Sequence, residues 1–122
     1  MIYLASPYTS ELKTVEAFRY MYATEALANL LDFGLNAYSP IVHWHQANIT
    51  HKLGGTYEAY QKHDEEMIII CDRFVILTLD GWIDSNGIAK EIRWAKLQDK
   101  LIELMDFKEL KKGNYLTNLC TL

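Results

Sequence analysis

The run Phe74-Val75-Ile76-Leu77-Thr78-Leu79 constrains this chain more than any other stretch. Successive strand side chains point to opposite faces, so a segment apolar at odd and even positions alike is a strand buried on both sides. Sheets covered on both faces are mostly parallel, with helices crossing over between strands. The residues after the run meet that demand. Asp80-Gly81-Trp82 turns the chain, and residues 84–91, DSNGIAKE, open a helix that runs to about Gln98, capped by Ser85 or Asn86.

The same alternation recurs on either side. Met1 to Ala5 is a short apolar strand closed by Ser6-Pro7, and Val15, Phe18, Tyr22, Ala26 and Leu30 recur at helical spacing between Thr14 and Phe33, with Gly34 as the stop. Leu35 to Ser39 returns as a second strand, and Tyr57 to Cys71 is a helix. Ile41 to Gly55, rich in His, Asn and Thr, is expected to be a long loop with at most one helical turn. Leu101 to Met105 is a further strand. The fold class expected is therefore α/β: one Rossmann-like, flavodoxin-like, doubly wound parallel sheet of four to five strands, spanning residues 1–105. Residues 106–122 form a tail or a short helix.

With 122 residues, half of them hydrophobic, the chain is of a size for one domain with its own core. A formal net charge of −4 and no basic run argue against a polymeric nucleic acid as partner. Cys71 and Cys120, the only cysteines, belong to no metal-type cluster, which suits a reducing, cytoplasmic setting. No apolar stretch approaches the roughly 18 residues a membrane-spanning helix needs, so no membrane partner is expected.

In a doubly wound sheet, ligands bind beyond the carboxyl ends of the strands. Ser6 to Ser10, Pro40 to His45 and Asp80 to Asn86 are then expected to line one crevice. There Ser85, a helix N-terminus around Gly87, and Glu91 would meet an anion or a sugar. Asp64, Ile68 and Asp72 follow at four-residue spacing, which puts an acid on the inner stripe of the preceding helix. Two carboxylates facing one crevice are what cleavage at an acetal-like carbon requires. The plainer alternative gives Ser85 only a capping role and leaves Glu91 and Asp64 as solvated charges.

His43-Trp44-His45 would present two imidazoles on one side of an extended segment, but no cysteine or acidic partner stands at ligand spacing, and no metal is assigned. The glycines match neither dinucleotide nor P-loop patterns. Tyr3, Tyr8, Trp44 and Trp82 are candidates to stack a base, or are core and rim aromatics.

These residues, taken in order, resemble the nucleoside 2-deoxyribosyltransferase superfamily, and within it the short DUF1937-type members. The resemblance is carried by Ile2-Tyr3-Leu4-Ala5-Ser6-Pro7-Tyr8, Tyr38-Ser39-Pro40-Ile41-Val42-His43, Asp64 with Asp72, and Leu79-Asp80-Gly81-Trp82 leading to Ser85, Gly87 and Glu91. It implies cleavage of an N-glycosidic bond without a metal or organic cofactor. Glu91 would be the nucleophile, Asp64 would assist the sugar or the departing base, and Tyr3 would contact the catalytic carboxylate. Ser6, Tyr8, His43, Trp82, Ser85 and Gly87 would line the substrate site.

A serine six places before the nucleophile is similar to the superfamily's nucleoside monophosphate hydrolases, whereas its transferases have an acid there. The expected substrate is accordingly a nucleoside 5′-monophosphate, with Thr9 and Ser10 as further phosphate contacts and Arg19 as the nearest cation. The first loop departs from that pattern in having no basic residue. Transfer to a second base, or nucleotide binding without turnover, are the alternatives, and a homodimer or higher homo-oligomer is expected from the resemblance.

Overall fold

Strand β1 (Ile2–Ala5) is buried at every position and is flanked on both edges by parallel partners. In the computed structural model, which describes residues 1–51, 58–113 and 120–121, the strands take the order β2-β1-β3-β4-β5. They are β2 (Ala37–Tyr38), β3 (Arg73–Leu77), β4 (Ile102–Met105) and β5 (Cys120–Thr121). The first four run parallel, and β5 joins β4 antiparallel. Between them lie α1 (Lys13–Asp32), α2 (Pro40–His51), α3 (Glu58–Ile70), α4 (Asn86–Leu97) and α5 (Phe107–Lys111). This is the expected doubly wound α/β sheet.

Strand alternation sorts the core into two layers. Ile2, Leu4, Val75 and Leu77 face one way, onto Ala26 and Leu30 of α1 and Leu110 of α5. Tyr3, Ala5, Phe74 and Ile76 face the other, onto Ile68 of α3 and Ile88 and Ala95 of α4. The helix α1 turns a different face inward from the one its large side chains suggest. Ala23, Ala26 and Leu30 are buried, whereas Phe18 and Tyr22 are exposed, because alanines let the helix axis come close to the sheet.

One expectation is corrected. Residues 40–51 are helical rather than a loop. Ser39 caps this helix by accepting the Val42 N–H at 3.2 Å, and Pro40 takes the first helical position, where its missing N–H has no partner to lose. The pair Ser39-Pro40 thus starts a helix as well as ending a strand. The tail beyond residue 105 is also part of the domain, since α5 lies on α1 and β5 extends the sheet.

The loops at the carboxyl ends of β1 and β3 are tied together by one side chain. From α1, Arg19 donates to the carbonyls of Tyr8 (3.3 Å) and Thr9 (3.0 Å) and to that of Asp80 (3.1 Å). Gly81 makes room for it. Its φ is +91°, and a Cβ there would lie 2.5 Å from the guanidinium. Gly34 has φ +82° but open space around it. Gly34→Ala is therefore expected to lose about 1 kcal/mol of backbone strain alone, and Gly81→Ala roughly twice that or more because it also dislodges Arg19. Urea denaturation of the two variants measures the difference.

Candidate active site

The sheet reaches the site through Tyr3. Its neighbours in register are Tyr38 on β2 and Phe74 on β3, and its ring stacks on Phe74 at 5.5 Å. Aimed at the α3/α4 layer and fully buried, its hydroxyl donates a short hydrogen bond to Glu91 Oε2. Glu91 stands in the second turn of α4 and is only 6% exposed. Ser85 caps that helix by accepting the Ile88 N–H at 3.2 Å, as the cap expectation requires. A hydroxyl that accepts one hydrogen bond keeps its own hydrogen to donate. Ser85 therefore acts as a cap and stays at the start of the helix that carries Glu91.

Asp64, on α3, is 5% exposed and takes the Trp44 indole N–H at 3.4 Å. Burial pushes its carboxyl up to about 7, against a small downward pull from the indole. Glu91 is pushed up to about 8, again by burial first; the Tyr3 hydrogen bond lowers it and the Asp64 charge raises it. The Tyr3 phenol is held well above its ordinary range by burial and by both carboxylates, so it remains a donor. Asp64 and Glu91 are electrostatic neighbours, and two such acids in one desolvated site titrate as a pair. The solvated-charge alternative fails for both.

The remaining candidates divide. The hydroxyl of Tyr8 lies 2.6 Å from His45 Nδ1, and His45 stacks on Tyr20 at 4.0 Å, so this tyrosine anchors the first loop to α1 and α2. Ser6 is 4% exposed, and its hydroxyl has no hydrogen-bond partner among the described residues. Trp82 is half-buried against the α3/α4 layer, which makes its body a core contact. Gly87 lies in the first turn of α4. His43 stacks on His63 at 4.9 Å.

The geometry also places Asp72, Arg19 and the His43/His45 pair. Asp72 lies beyond the end of α3, exposed, paired with the Met1 amino group at the opposite end of the strands, so it does not share the site with Asp64. Arg19 donates to three backbone carbonyls, so its position is fixed by the two loops. His43 and His45 lie on a helix, and their rings diverge to His63 and Tyr8 rather than sharing a side. Among the described residues no group of three His, Cys, Asp or Glu side chains is placed to hold a metal ion. None of the described helices is long and apolar enough to cross a membrane.

Sequence reasoning gave no catalytic or binding role to Tyr38, His63 or Glu16. Tyr38 and His63 form a hydrogen bond at 3.1 Å beside the carboxylates. Glu16, 8% exposed, accepts the Ser10 N–H at 3.2 Å and a lysine bond from Lys13. The signal for Glu16 lay in Ser10 and Glu16 bracketing a helix start, a variant of the capping box. A separate open concavity of about 450 Å³ lies at the amino ends of β3 and β4, where Arg73 is already paired with Glu103 and Lys100 with backbone carbonyls.

Fold and site together define a Rossmann-like α/β domain with a buried pair of acids on the helices that cover one face of its sheet. Over residues 1–107 the sequence matches DUF1937, a domain of unknown function, and the chain belongs to that family. No curated protein shows significant similarity to it.

The raised acids carry a stability signature. The ordinary value for Glu91 is 4.5, and the folded protein holds its proton to about 8, so its contribution is fully present below pH 4.5 and is lost as pH rises through 8. Glu91→Gln removes that loss. The variant is expected to match the wild type near pH 4.5 and to exceed it by on the order of 2 kcal/mol at pH 9, as read by thermal denaturation across that range.

Proposed function

We propose that this protein is an N-glycosidase that hydrolyses the base–sugar bond of a ribo- or deoxyribonucleoside 5′-monophosphate. The observation that carries the reading is the buried Glu91, hydrogen-bonded by Tyr3 and neighboured by Asp64. A carboxylate removed from water and aimed by one donor is suited to attack an anomeric carbon that is becoming cationic. Glu91 attacks that carbon as the C–N bond breaks, Asp64 holds the sugar, and water then hydrolyses the glycosyl-enzyme ester. No step needs a metal or an organic cofactor. The half-buried hydroxyl of Ser85 at the start of α4 is the anchor for phosphate.

A second reading, transfer of the sugar from a free nucleoside to another base, is favoured by the first loop. The Ser10 N–H is already held by the Glu16 carboxylate, and Arg19 is engaged by carbonyls, so neither serves a phosphate group. Both readings place Glu91 in the same role. The buried, reduced Cys71 fits a cytoplasmic enzyme.

Chromatography for free base, after incubation with a panel of nucleoside 5′-monophosphates and the matching nucleosides, tests the proposal. Release from monophosphates, reduced roughly 10³-fold or more by Glu91→Ala, is expected; release from nucleosides alone moves the assignment to the transferase, and release from neither overturns both. The pH profile of kcat/KM gives an independent check. Since Glu91 works ionised, the acid limb should lie near neutrality. Tyr3→Phe removes a bond that lowers the Glu91 pKa and moves the limb up; Asp64→Asn removes a charge that raises it and moves the limb down. Shifts in the same direction would refute the pairing.

Self-association also belongs to this proposal. Ile69 and Ile70 at the end of α3, Leu97 at the end of α4 and Leu101 beyond it are each more than half exposed, and Lys100 ties the two helix ends together. Light scattering on the purified protein is expected to give at least a dimer, and Leu97→Glu to shift it toward monomer.

A further inference from the structure

Beside the two carboxylates stands a cluster to which the roles of Glu91 and Asp64 give no task. His63 Nε2 lies 3.1 Å from the Tyr38 hydroxyl. The His63 ring is held flat on His43, centroids 4.9 Å apart and planes within 7°, and edge-on to Trp44 at 5.2 Å. Tyr38 stands next to Tyr3 on the neighbouring strand, ring centroids 5.7 Å apart, on the side of the sheet that faces Glu91. A histidine so fixed shares a hydrogen bond with a phenol at the edge of a carboxylate pair, its tautomer and protonation deciding which of the two donates.

Resting on the glycosidase reading, we propose that Tyr38 protonates the departing base and that His63 supplies the proton through the Tyr38–His63 hydrogen bond. The need for such a group comes from the reaction. When Glu91 bonds to the anomeric carbon, the base leaves with the electron pair of the C–N bond and must gain a proton on a ring nitrogen. Asp64 accepts the Trp44 N–H through one oxygen and, in the glycosidase reading, its carboxyl is occupied with the sugar. Tyr38 is kept a phenol by burial and by the nearby charges of Asp64 and Glu91, which makes it a donor and never a competing anion. His43 is pushed toward its neutral form by burial and by His63, so the stacked pair does not carry two charges.

The balance is closed in two steps. In the first, the Tyr38 O–H proton passes to the base nitrogen and the His63 Nε2–H proton passes to Tyr38, leaving His63 neutral. In the second, water attacks the anomeric carbon, the Glu91 ester bond breaks, and the water's proton returns through Tyr38 to His63. The sum is nucleotide plus water giving sugar phosphate plus base. Tyr38 is the catalytic residue in this scheme, and His63 is a positioning residue that acts through it.

The experiment compares a purine nucleoside 5′-monophosphate with its N7-methylated counterpart, whose base is cationic and departs neutral without an added proton. His63→Gln and Tyr38→Phe are expected to lower kcat on the unmethylated substrate by about 10²-fold, and to leave kcat on the methylated one within about 3-fold of wild type. KM should change little on either. The two variants cover for each other should one fail to fold, and melting curves identify that case. Equal losses on both substrates, or a change confined to KM, would overturn the relay while leaving Glu91 as nucleophile. A wild-type protein that releases no base from either substrate overturns the glycosidase reading itself, and the relay falls with it.

Discussion

The hydrogen bond from Tyr3 to Glu91 joins β1, an interior strand of the sheet, to the helix that covers it. A carboxylate taken out of water loses far more than an ordinary hydrogen bond returns, unless it is neutralised or well partnered. Here the partner is a phenol rooted in a strand whose every residue is buried, so the acid cannot move without moving the sheet. The surrounding features answer the same demand. Phe74 stacks on the same ring, Ser85 fixes where α4 starts, and Asp64 closes the layer from α3. The site is thus built into the hydrophobic layer itself rather than laid over it.

Loops at the carboxyl end of such a sheet are held by the chain in a different way. Their backbone carbonyls, having no ladder to join, are collected by the fork of Arg19, and the first loop is further pinned by Tyr8 on His45 and by Ser10 on Glu16. Arg19 and Glu16 are therefore engaged with the loops themselves. That is the physical basis for assigning any phosphate recognition to hydroxyls and a helix terminus rather than to a basic side chain.

Much of this architecture was legible in the sequence, and the reasons differ from part to part. The apolar run at Phe74 and the short strand at Ile2 demand burial on both faces, and strand-then-helix alternation leaves few topologies. Glu91 and Ser85 could be paired because a capped helix start sets their offset. Residues 40–51 misled because Pro40 after a strand reads as a stop, although proline is equally at home at a first helical position. Phe18 and Tyr22 misled because size suggests burial, whereas close approach to a sheet favours alanine. Tyr38 and His63, 25 residues apart in the chain, meet only through tertiary contact, and no spacing rule announces them.

The β2 edge of the sheet bears on how the molecule lives in a crowded solution. It is only two residues long and runs at once into the proline that opens α2. An edge so brief offers a passing chain almost no row of free N–H and C=O groups to copy, and proline withholds the next donor. Strand addition, the commonest route from a native sheet to a fibril, is closed on that side.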